Sequence, residues 1–336
     1  MPAAARSEGK TPMSAASPSA SGGRSPSVSI VLATNRDSPY LAETLRSVRA
    51  QTMRDWELLI VDNGIPHPQR VEQFIEGDDR MSKITIESSA TAGVARNVGV
   101  SQTTAELITF LDDDDVWAPE RLERHLRAHS EHPTSPATFS GYWHIDNEGR
   151  PFGDDWRSRQ TDSAAMLSGR ADTPLGPTLV IRRSDFVAIG GFSSEIPILA
   201  DFELALRLAL RGDLVYLDSL LVGYRRHANN MTSTAPSNAL LRRNAMEDMV
   251  DRQRWAAVGR GNVEAAGLFR ERLERFRQNE ARLAGTALFR FLKRRDYYHA
   301  WSELAWGLSR APVTFLITVA TAPLVKTKAM LRRGRR

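Results

Sequence analysis

Short apolar runs and amphipathic stretches alternate along the first two thirds of this sequence, and this alternation restricts the fold more than any other feature. VSIVLA (28–33) reads as a strand, and YLAETLRSVRAQ (40–51) places Leu41, Leu45 and Val48 on one helical face. Strand–helix alternation is typical of a largely parallel sheet with helices on both faces. Further strands are predicted at 56–61, 83–87, 106–111, 137–145, 178–181, 214–217 and 220–224, and helices at 93–102, from Pro119, and at 201–212.

Polar residues follow three of these predicted strands directly. They are Thr34-Asn35-Arg36, Asp62-Asn63-Gly64 and the four aspartates Asp112–Asp115. In open sheets of this type, ligands bind at the carboxyl ends of the strands. The sequence therefore predicts a ligand site at one edge of the sheet.

The aspartate run follows an apolar strand, in ITFLDDDDVWAP (108–119). Adjacent carboxylates repel each other, so in a closed site some would protonate unless a positive charge, most economically a divalent cation, lies between them. Hard oxygen ligands select magnesium, manganese or calcium, with substrate phosphates completing the shell. The alternative is a solvated acidic turn that caps the helix beginning near Pro119. The spacing of an EF-hand loop is absent.

Five segments, in this order, carry a family resemblance: VSIVLATNR, ELLIVDNG, AGVARNVGVSQTTAELITFLDDDDVW, GGF and ADFELALRL. Over about residues 28–230 the sequence resembles the GT-A glycosyltransferases of family 2, which are inverting enzymes that use nucleotide sugars. The resemblance implies an α/β fold of the GT-A class, which is the Rossmann-like fold of nucleotide-diphospho-sugar transferases. Its sheet is expected to be mixed but mainly parallel with helices on both faces, followed here by an α-helical C-terminal extension.

The resemblance also implies which residues bind the donor. In that family the nucleotide enters at the first loop, and an acidic residue contacts the nucleobase. An Ala-Arg-Asn segment lies near the donor, and an Asp-x-Asp motif lies next to the ribose or the metal. Two of these residues have simpler readings, since Arg96 could form an ordinary ion pair on a helix surface and Asn97 could hydrogen-bond within its helix. The residues so assigned are Thr34, Asn35, Arg36, Asp62, Arg96, Asn97, Asp112 and Asp113.

A divalent metal, manganese or magnesium, is the cofactor that the resemblance implies. Asp114 is the best candidate ligand, and His227 is a second candidate because a histidine after the last strands can reach the metal or the diphosphate in similar enzymes. A lone histidine is more often a surface or packed residue, so that reading stays open. Neighbouring Arg225 or Arg226 could neutralise phosphate.

Asp201 is the predicted general base, which would take the proton of the acceptor hydroxyl as it attacks the anomeric carbon. The family commonly shows Glu-Asp at this point, and here Ala200 replaces the first acid. Asp201 could instead be a charge favoured by the dipole at a helix N-terminus. Gly190-Gly191-Phe192 resembles the acceptor-side loop.

The sequence divides into three parts by composition. Residues 1–26 are rich in Ala, Ser, Pro and Gly and predict a disordered N-terminal tail. Residues 27–232 form the predicted glycosyltransferase domain, and residues 233–336 form an Arg-rich helical extension. Within it, residues 301–336 are a candidate membrane-interface segment, because an apolar run too short to span a bilayer is flanked by tryptophans and by basic residues.

Charge is distributed unevenly. Residues 241–336 contain 21 Lys and Arg against 9 Asp and Glu, a net +12, whereas the remainder has a net charge of −7. The basic part suits an anionic membrane surface, and no helix-turn-helix, zinc-finger or RNP pattern accompanies it to indicate nucleic acid. The absence of cysteine excludes disulfides and thiolate chemistry.

The predicted function is therefore transfer of a sugar, with inversion, from a UDP-, dTDP- or GDP-linked donor to a glycan or lipid-linked acceptor in polysaccharide or glycoconjugate biosynthesis. The expected location is cytoplasmic, with peripheral attachment to the inner face of the cytoplasmic membrane left open. A catalytically inactive nucleotide-binding or membrane scaffold of the same fold is the alternative. A sugar nucleotidyltransferase is disfavoured, because ATNRDSPY stands where its Gly-rich loop would follow the first strand.

Overall fold

The computed structural model describes residues 25–86, 90–158, 162–196, 198–227, 230 and 236–321. Its eight strands form one sheet in the order β3-β2-β1-β4-β7-β6-β8-β5. Strands β1 to β4 are mutually parallel where they pair, as are β6 and β8, whereas β7 and β5 run antiparallel to their neighbours. The predicted mixed, mainly parallel sheet is confirmed. The strands are β1 (Val28–Thr34), β2 (Trp56–Asp62), β3 (Met81–Thr85), β4 (Leu107–Phe110), β5 (Val116–Trp117), β6 (Ala137–Ile145), β7 (Leu179–Arg182) and β8 (Val215–Arg225).

Helices connect the strands and continue beyond the last of them. Two sequence predictions need correction: segments 214–217 and 220–224 form the single strand β8, and α4 begins after Pro119 rather than with it. Residues 312–321 are also helical. The helices are α1 (Leu41–Arg49), α2 (Pro68–Ile75), α3 (Ala92–Ser101), α4 (Arg121–Glu131), α5 (Ser163–Ser168), α6 (Arg183–Ala188), α7 (Ala200–Ala209), α8 (Pro236–Gly259), α9 (Val263–Lys293) and α10 (Tyr297–Arg310).

The sheet separates two hydrophobic cores, because successive side chains of a strand point to opposite faces. Ile30 packs with α1 and α4 on one face, whereas Val31 and Phe110 pack with α3 and α7 on the other. Gly99 lets α3 lie close to the sheet, since a Cβ there would stand 2.4 Å from a Val31 methyl carbon. This close approach brings the α3 side chains to the edge where β1, β2 and β4 end.

The helical extension packs directly on this second core. Met249 and Val250 of α8 and Phe269 of α9 belong to the same buried cluster as α7. A separate cluster joins α9, α10 and Phe315. Helices α8 and α9 thus pack beside the helix that carries Asp201.

Two segments predicted from the sequence are described only in part. Residues 1–24 of the predicted tail and 322–336 of the candidate membrane-interface segment lie outside the described residues. Within the part of the chain that is described, no helix combines the length and the apolar character that crossing a membrane requires. The division of the chain at residues 232 and 233 stays a prediction.

Candidate active site

The loops that follow β1, β2 and β4 meet at the carboxyl edge of the sheet. Thr34, the last residue of β1, donates its hydroxyl proton to the carboxylate of Asp113, and its carbonyl accepts a 2.9 Å hydrogen bond from the Asn63 amide. The Ser38 hydroxyl donates to the Asp113 carbonyl at 2.8 Å. The residues that follow separate strands in the sequence therefore form one cluster.

Arg36 pairs with two of the four aspartates. Its Nη2 lies 2.5 Å from Oδ1 of Asp113 and 2.7 Å from Oδ2 of Asp114. The hydrogen bond to Asp113 is the largest cause of a raised pKa for the Arg36 guanidinium. This side chain is partly exposed at the mouth of the cluster, where an incoming anion can reach it.

Arg96 of α3 joins the first aspartate to the predicted base. Nη2 of this buried guanidinium lies 2.5 Å from Oδ1 of Asp112, and Nη1 lies 2.9 Å from Oδ1 of Asp201. Burial raises the pKa of Asp112 to about 6, although the Arg96 charge opposes the rise. Burial alone would lower the pKa of Arg96, but the charges of Asp201 and Asp112 outweigh it and raise that pKa. The reading of Arg96 as a surface ion pair is wrong.

Asp115, the last of the four, is fully buried. Its Oδ1 accepts a 2.9 Å hydrogen bond from the Arg225 amide, and burial together with neighbouring carboxylates raises its pKa well above the ordinary value. The buried Arg225 guanidinium donates to the Asp114 carbonyl and to Glu43, both at 2.7 Å. Arg225 therefore supports the aspartate loop, and of the two arginines considered for phosphate binding, Arg226 is the exposed one.

Asp114 and His227 stand together, as a shared metal would require. Oδ2 of Asp114 lies 2.8 Å from Nε2 of His227. Two cis ligands of an octahedral ion, each about 2.1 Å from the metal, lie roughly 3 Å apart, so this pair fits one Mn²⁺ or Mg²⁺. Across the described residues there is no group of three or more acidic or histidine side chains suited to a metal. The donor and water would supply the remaining ligands.

Asp201 lies in the first turn of α7, where a helix N-terminus favours a carboxylate. Its side chain is 29% exposed, so it can meet a substrate. Gly176 lies directly against the Asp201 side chain, because a Cβ at position 176 would stand 2.5 Å from Cγ of Asp201. The helix-dipole reading is compatible with this geometry, but the contact with Arg96 places the carboxylate beside the aspartate cluster.

Known proteins that are similar to this chain include glycosyltransferases. Residues 29–189 match the family described as glycosyl transferase family 2. This segment, just under half of the chain, is therefore similar to glycosyl transferase family 2. It is 30% identical over 128 residues, 38% of its length, to TuaG of Bacillus subtilis (strain 168), named for teichuronic acid biosynthesis, and covers 50% of that protein.

A second relative is WfgD of Escherichia coli, named as a UDP-Glc:alpha-D-GlcNAc-diphosphoundecaprenol beta-1,3-glucosyltransferase. It is 30% identical over 99 residues, covering 30% of this chain and 39% of WfgD. The chain thus spans half or less of the length of these relatives. The fold is similar to that of S. aureus TarS 1-349, crystallised with UDP-GlcNAc, with a TM-score of 0.56, 14% identity and coverage of 88% of this chain and 91% of that one.

Three other residues were assigned to donor binding from the sequence, and two of them are Asn35 and Asp62. Asn35 is exposed next to Arg36. The buried carboxylate of Asp62 accepts backbone hydrogen bonds from Gly64 and Ile65 at 3.0 and 2.8 Å, which makes Asp-Asn-Gly a turn. Donor binding by these two residues stays a prediction.

Asn97 contacts another loop rather than its own helix. Its side-chain amide donates to the Phe192 carbonyl and accepts from the Phe192 amide, both at 2.8 Å. The suggested hydrogen bond within the helix is therefore wrong, and its donor role stays a prediction. Sequence reasoning missed Glu43 and Gly176, whose partners lie far away in the chain and leave no periodic signal.

Proposed function

We propose that this chain transfers a sugar from a nucleoside-diphosphate donor to an acceptor hydroxyl with inversion, in polysaccharide or glycoconjugate biosynthesis. The observation that carries the proposal is the double contact of Arg96 with Asp112 and Asp201. One buried cation links the aspartate run, a candidate donor site, to a partly exposed carboxylate that suits an acceptor-side base. Such a pairing fits a displacement in which leaving group and nucleophile react at one centre.

On the donor side, Arg36 would meet the diphosphate, and Asp114 with His227 would hold Mn²⁺ or Mg²⁺. When bound, the metal stabilises the negative charge of the departing diphosphate. A UDP-linked sugar is the first donor to test, because the crystallised TarS complex contains UDP-GlcNAc and the name of WfgD specifies UDP-Glc. GDP- and dTDP-linked sugars are the alternatives.

On the acceptor side, Asp201 would accept the proton of the attacking hydroxyl. Arg96 and Gly176 fix the position of this carboxylate from two sides. A hydroxyl that attacks the anomeric carbon opposite the departing diphosphate inverts that centre in one step. Asp201 is thus assigned as general base, with the proton moving from the hydroxyl to a carboxylate oxygen.

The acceptor is proposed to be a glycan or lipid-linked sugar at the inner face of the cytoplasmic membrane. Tyr297, Tyr298 and Trp301 are exposed at the start of α10, and Lys293 to Arg295 precede them. Aromatic and basic side chains of this kind suit peripheral contact with anionic lipid. Replacing Trp301 with Ser should reduce sedimentation with phosphatidylglycerol vesicles, whereas Trp255→Ser, at an exposed tryptophan of α8, should not. Equal sedimentation of wild type and both variants would contradict the membrane contact.

The proposed transfer is tested by the nucleoside diphosphate released from UDP-glucose, UDP-GlcNAc, GDP-mannose and dTDP-glucose with Mn²⁺. We expect one donor class to be consumed by wild type, and Asp114→Asn to lose at least about 100-fold in rate. Asp218→Asn is the control, because that aspartate of β8 is 80% exposed. If no donor is consumed with or without added glycan acceptors, the inactive scaffold becomes the better description.

A further inference from the structure

Helix α7 carries a second acid, Glu203, on the turn that holds Asp201. The Glu203 side chain is 2% exposed, so its charge needs partners inside the protein. Arg207, one turn later, supplies two: Nε lies 2.6 Å from Oε1 and Nη2 lies 2.5 Å from Oε2. The third comes from outside this helix, since Nε2 of Gln253 lies 2.6 Å from Oε1.

Gln253 is held firmly in place by its own helix. It lies on the face of α8 that also carries Met249, Val250 and Ala257, all buried in the core shared with α7. Gln253 is itself buried. A buried amide donor facing a carboxylate contributes a charge-assisted hydrogen bond, which is stronger than a neutral one.

Arg207 extends the contact to the loop on the acceptor side. Nη1 donates to the Ile189 carbonyl at 2.6 Å, and Nη2 donates to the Gly191 carbonyl at 2.7 Å. The next residue, Phe192, is hydrogen-bonded in both directions to Asn97, which neighbours Arg96. A continuous set of contacts therefore runs from Gln253 through Glu203 and this loop back to the arginine that contacts Asp201.

The start of α7 needs such support. Leu199, which precedes the helix, has a φ of 67°, in the left-handed region that L-residues rarely adopt. Strained residues of this kind persist where surrounding contacts hold them. Two contacts from the helical extension reach this first turn: the hydrogen bond from Gln253 to Glu203, and Arg272 of α9, which stacks over Phe202 at 4.8 Å.

We propose that Gln253 is a positioning residue for the transfer reaction: through its hydrogen bond to Glu203 it fixes the first turn of α7 and hence the carboxylate of Asp201. This inference rests on the proposed function in assigning Asp201 as the base. By this proposal, the helical extension contributes to the geometry of the active site. Gln253 is buried and would act through Glu203.

Gln253→Met is the informative variant, because it keeps the length of the side chain and removes the amide donor. Gln278→Met is the matched control, at an exposed glutamine of α9. Hydrogen exchange measured by mass spectrometry on the full chain should show at least about threefold faster exchange of the peptide covering 200–206 in Gln253→Met. That peptide should exchange at the wild-type rate in Gln278→Met, and the α8 peptides should be unchanged in both.

Turnover of the UDP-sugar that wild type consumes gives the second readout. We expect kcat to fall about tenfold in Gln253→Met with KM for the donor unchanged, because donor binding does not involve this contact. Tm should fall by a few degrees, because a buried carboxylate loses one hydrogen bond. Wild-type exchange at 200–206 would overturn the inference, as would a parallel change in kcat and KM. If wild type consumes no donor, the proposed function fails, and the exchange result alone then supports or overturns the positioning of α7.

Discussion

Nη1 of Arg96 and Oδ1 of Asp201 lie 2.9 Å apart although 105 residues separate them in the chain. The same guanidinium reaches Asp112 at 2.5 Å. A helix after the third strand thus provides one cation for carboxylates from two distant loops. The four predictions that follow concern this site and a buried histidine of α4.

Asp201→Asn preserves the shape of the side chain but removes its ability to accept a proton. We expect kcat for sugar transfer to fall about 10²- to 10⁴-fold while the affinity for the nucleoside diphosphate stays at the wild-type value. Steady-state kinetics and calorimetric titration check the two parts separately. Retention of more than a tenth of the wild-type kcat would remove Asp201 from the role of base.

Arg96→Met removes the cation between Asp112 and Asp201. The pKa of Asp112, which burial raises to about 6, should rise further, because loss of a positive neighbour disfavours the carboxylate. The acidic limb of the pH profile of kcat/KM is then expected to move to higher pH. Arg127→Met, at an exposed arginine of α4, should leave the profile unchanged. An unmoved acidic limb in Arg96→Met would show that Asp112 does not control it.

Gly176→Ala places a methyl group where Asp201 now lies. The added Cβ would stand 2.5 Å from Cγ of Asp201, so the carboxylate must shift from its present position. We expect a kcat loss of at least about tenfold, since small displacements of a reacting group are costly. Gly267→Ala in α9 is the control, because its Cβ meets open space, and it should gain roughly 0.5–1 kcal/mol of helix stability. Wild-type kcat in Gly176→Ala would contradict the account of this contact.

The buried His129 of α4 predicts acid sensitivity of the fold. Burial lowers its pKa from the ordinary 6.5 to about 4, so below pH 6.5 the unfolded chain binds a proton that the folded chain does not. Stability should therefore fall by about 1.4 kcal/mol per pH unit from this group as pH drops from 6.5 towards 4. Urea denaturation at pH 7.5, 6 and 5 should show His129→Gln losing less stability than wild type. His132→Gln, at an exposed position, should follow wild type; equal slopes for all three proteins would refute the prediction.

The strand pattern of the sequence predicted the centre of the sheet because β1, β2 and β4 consist mainly of buried apolar residues. The polar residues after β1 and β4 could then be placed at one edge by the rule for parallel strands. The two-residue strand β5 carries too few residues for a periodic signal. Helix α2 was not predicted from the sequence. It begins with Pro68 at its first turn, but Val71 is its single buried residue, so its apolar face is too narrow to recognise.

The partners within the site were harder to predict than its members. A carboxylate run shows that positive charge is needed, but not that Arg36 and Arg96 supply part of it. Arg225 follows the strand predicted at 220–224 and looked available to phosphate, whereas in the fold it is hydrogen-bonded to Glu43 and to backbone carbonyls. Such pairings depend on how distant segments meet in three dimensions, and a single sequence carries no local pattern for them.

The division of the site into a donor part and a base can be tested directly by isothermal titration of UDP, GDP and dTDP with and without Mn²⁺. The account predicts that wild type binds one of these nucleotides only with Mn²⁺, that Asp114→Ala abolishes this binding, and that Asp201→Asn retains it. Binding that is indifferent to Mn²⁺ and to the loss of Asp114, or absence of binding by any of the three nucleotides, would contradict the central claim.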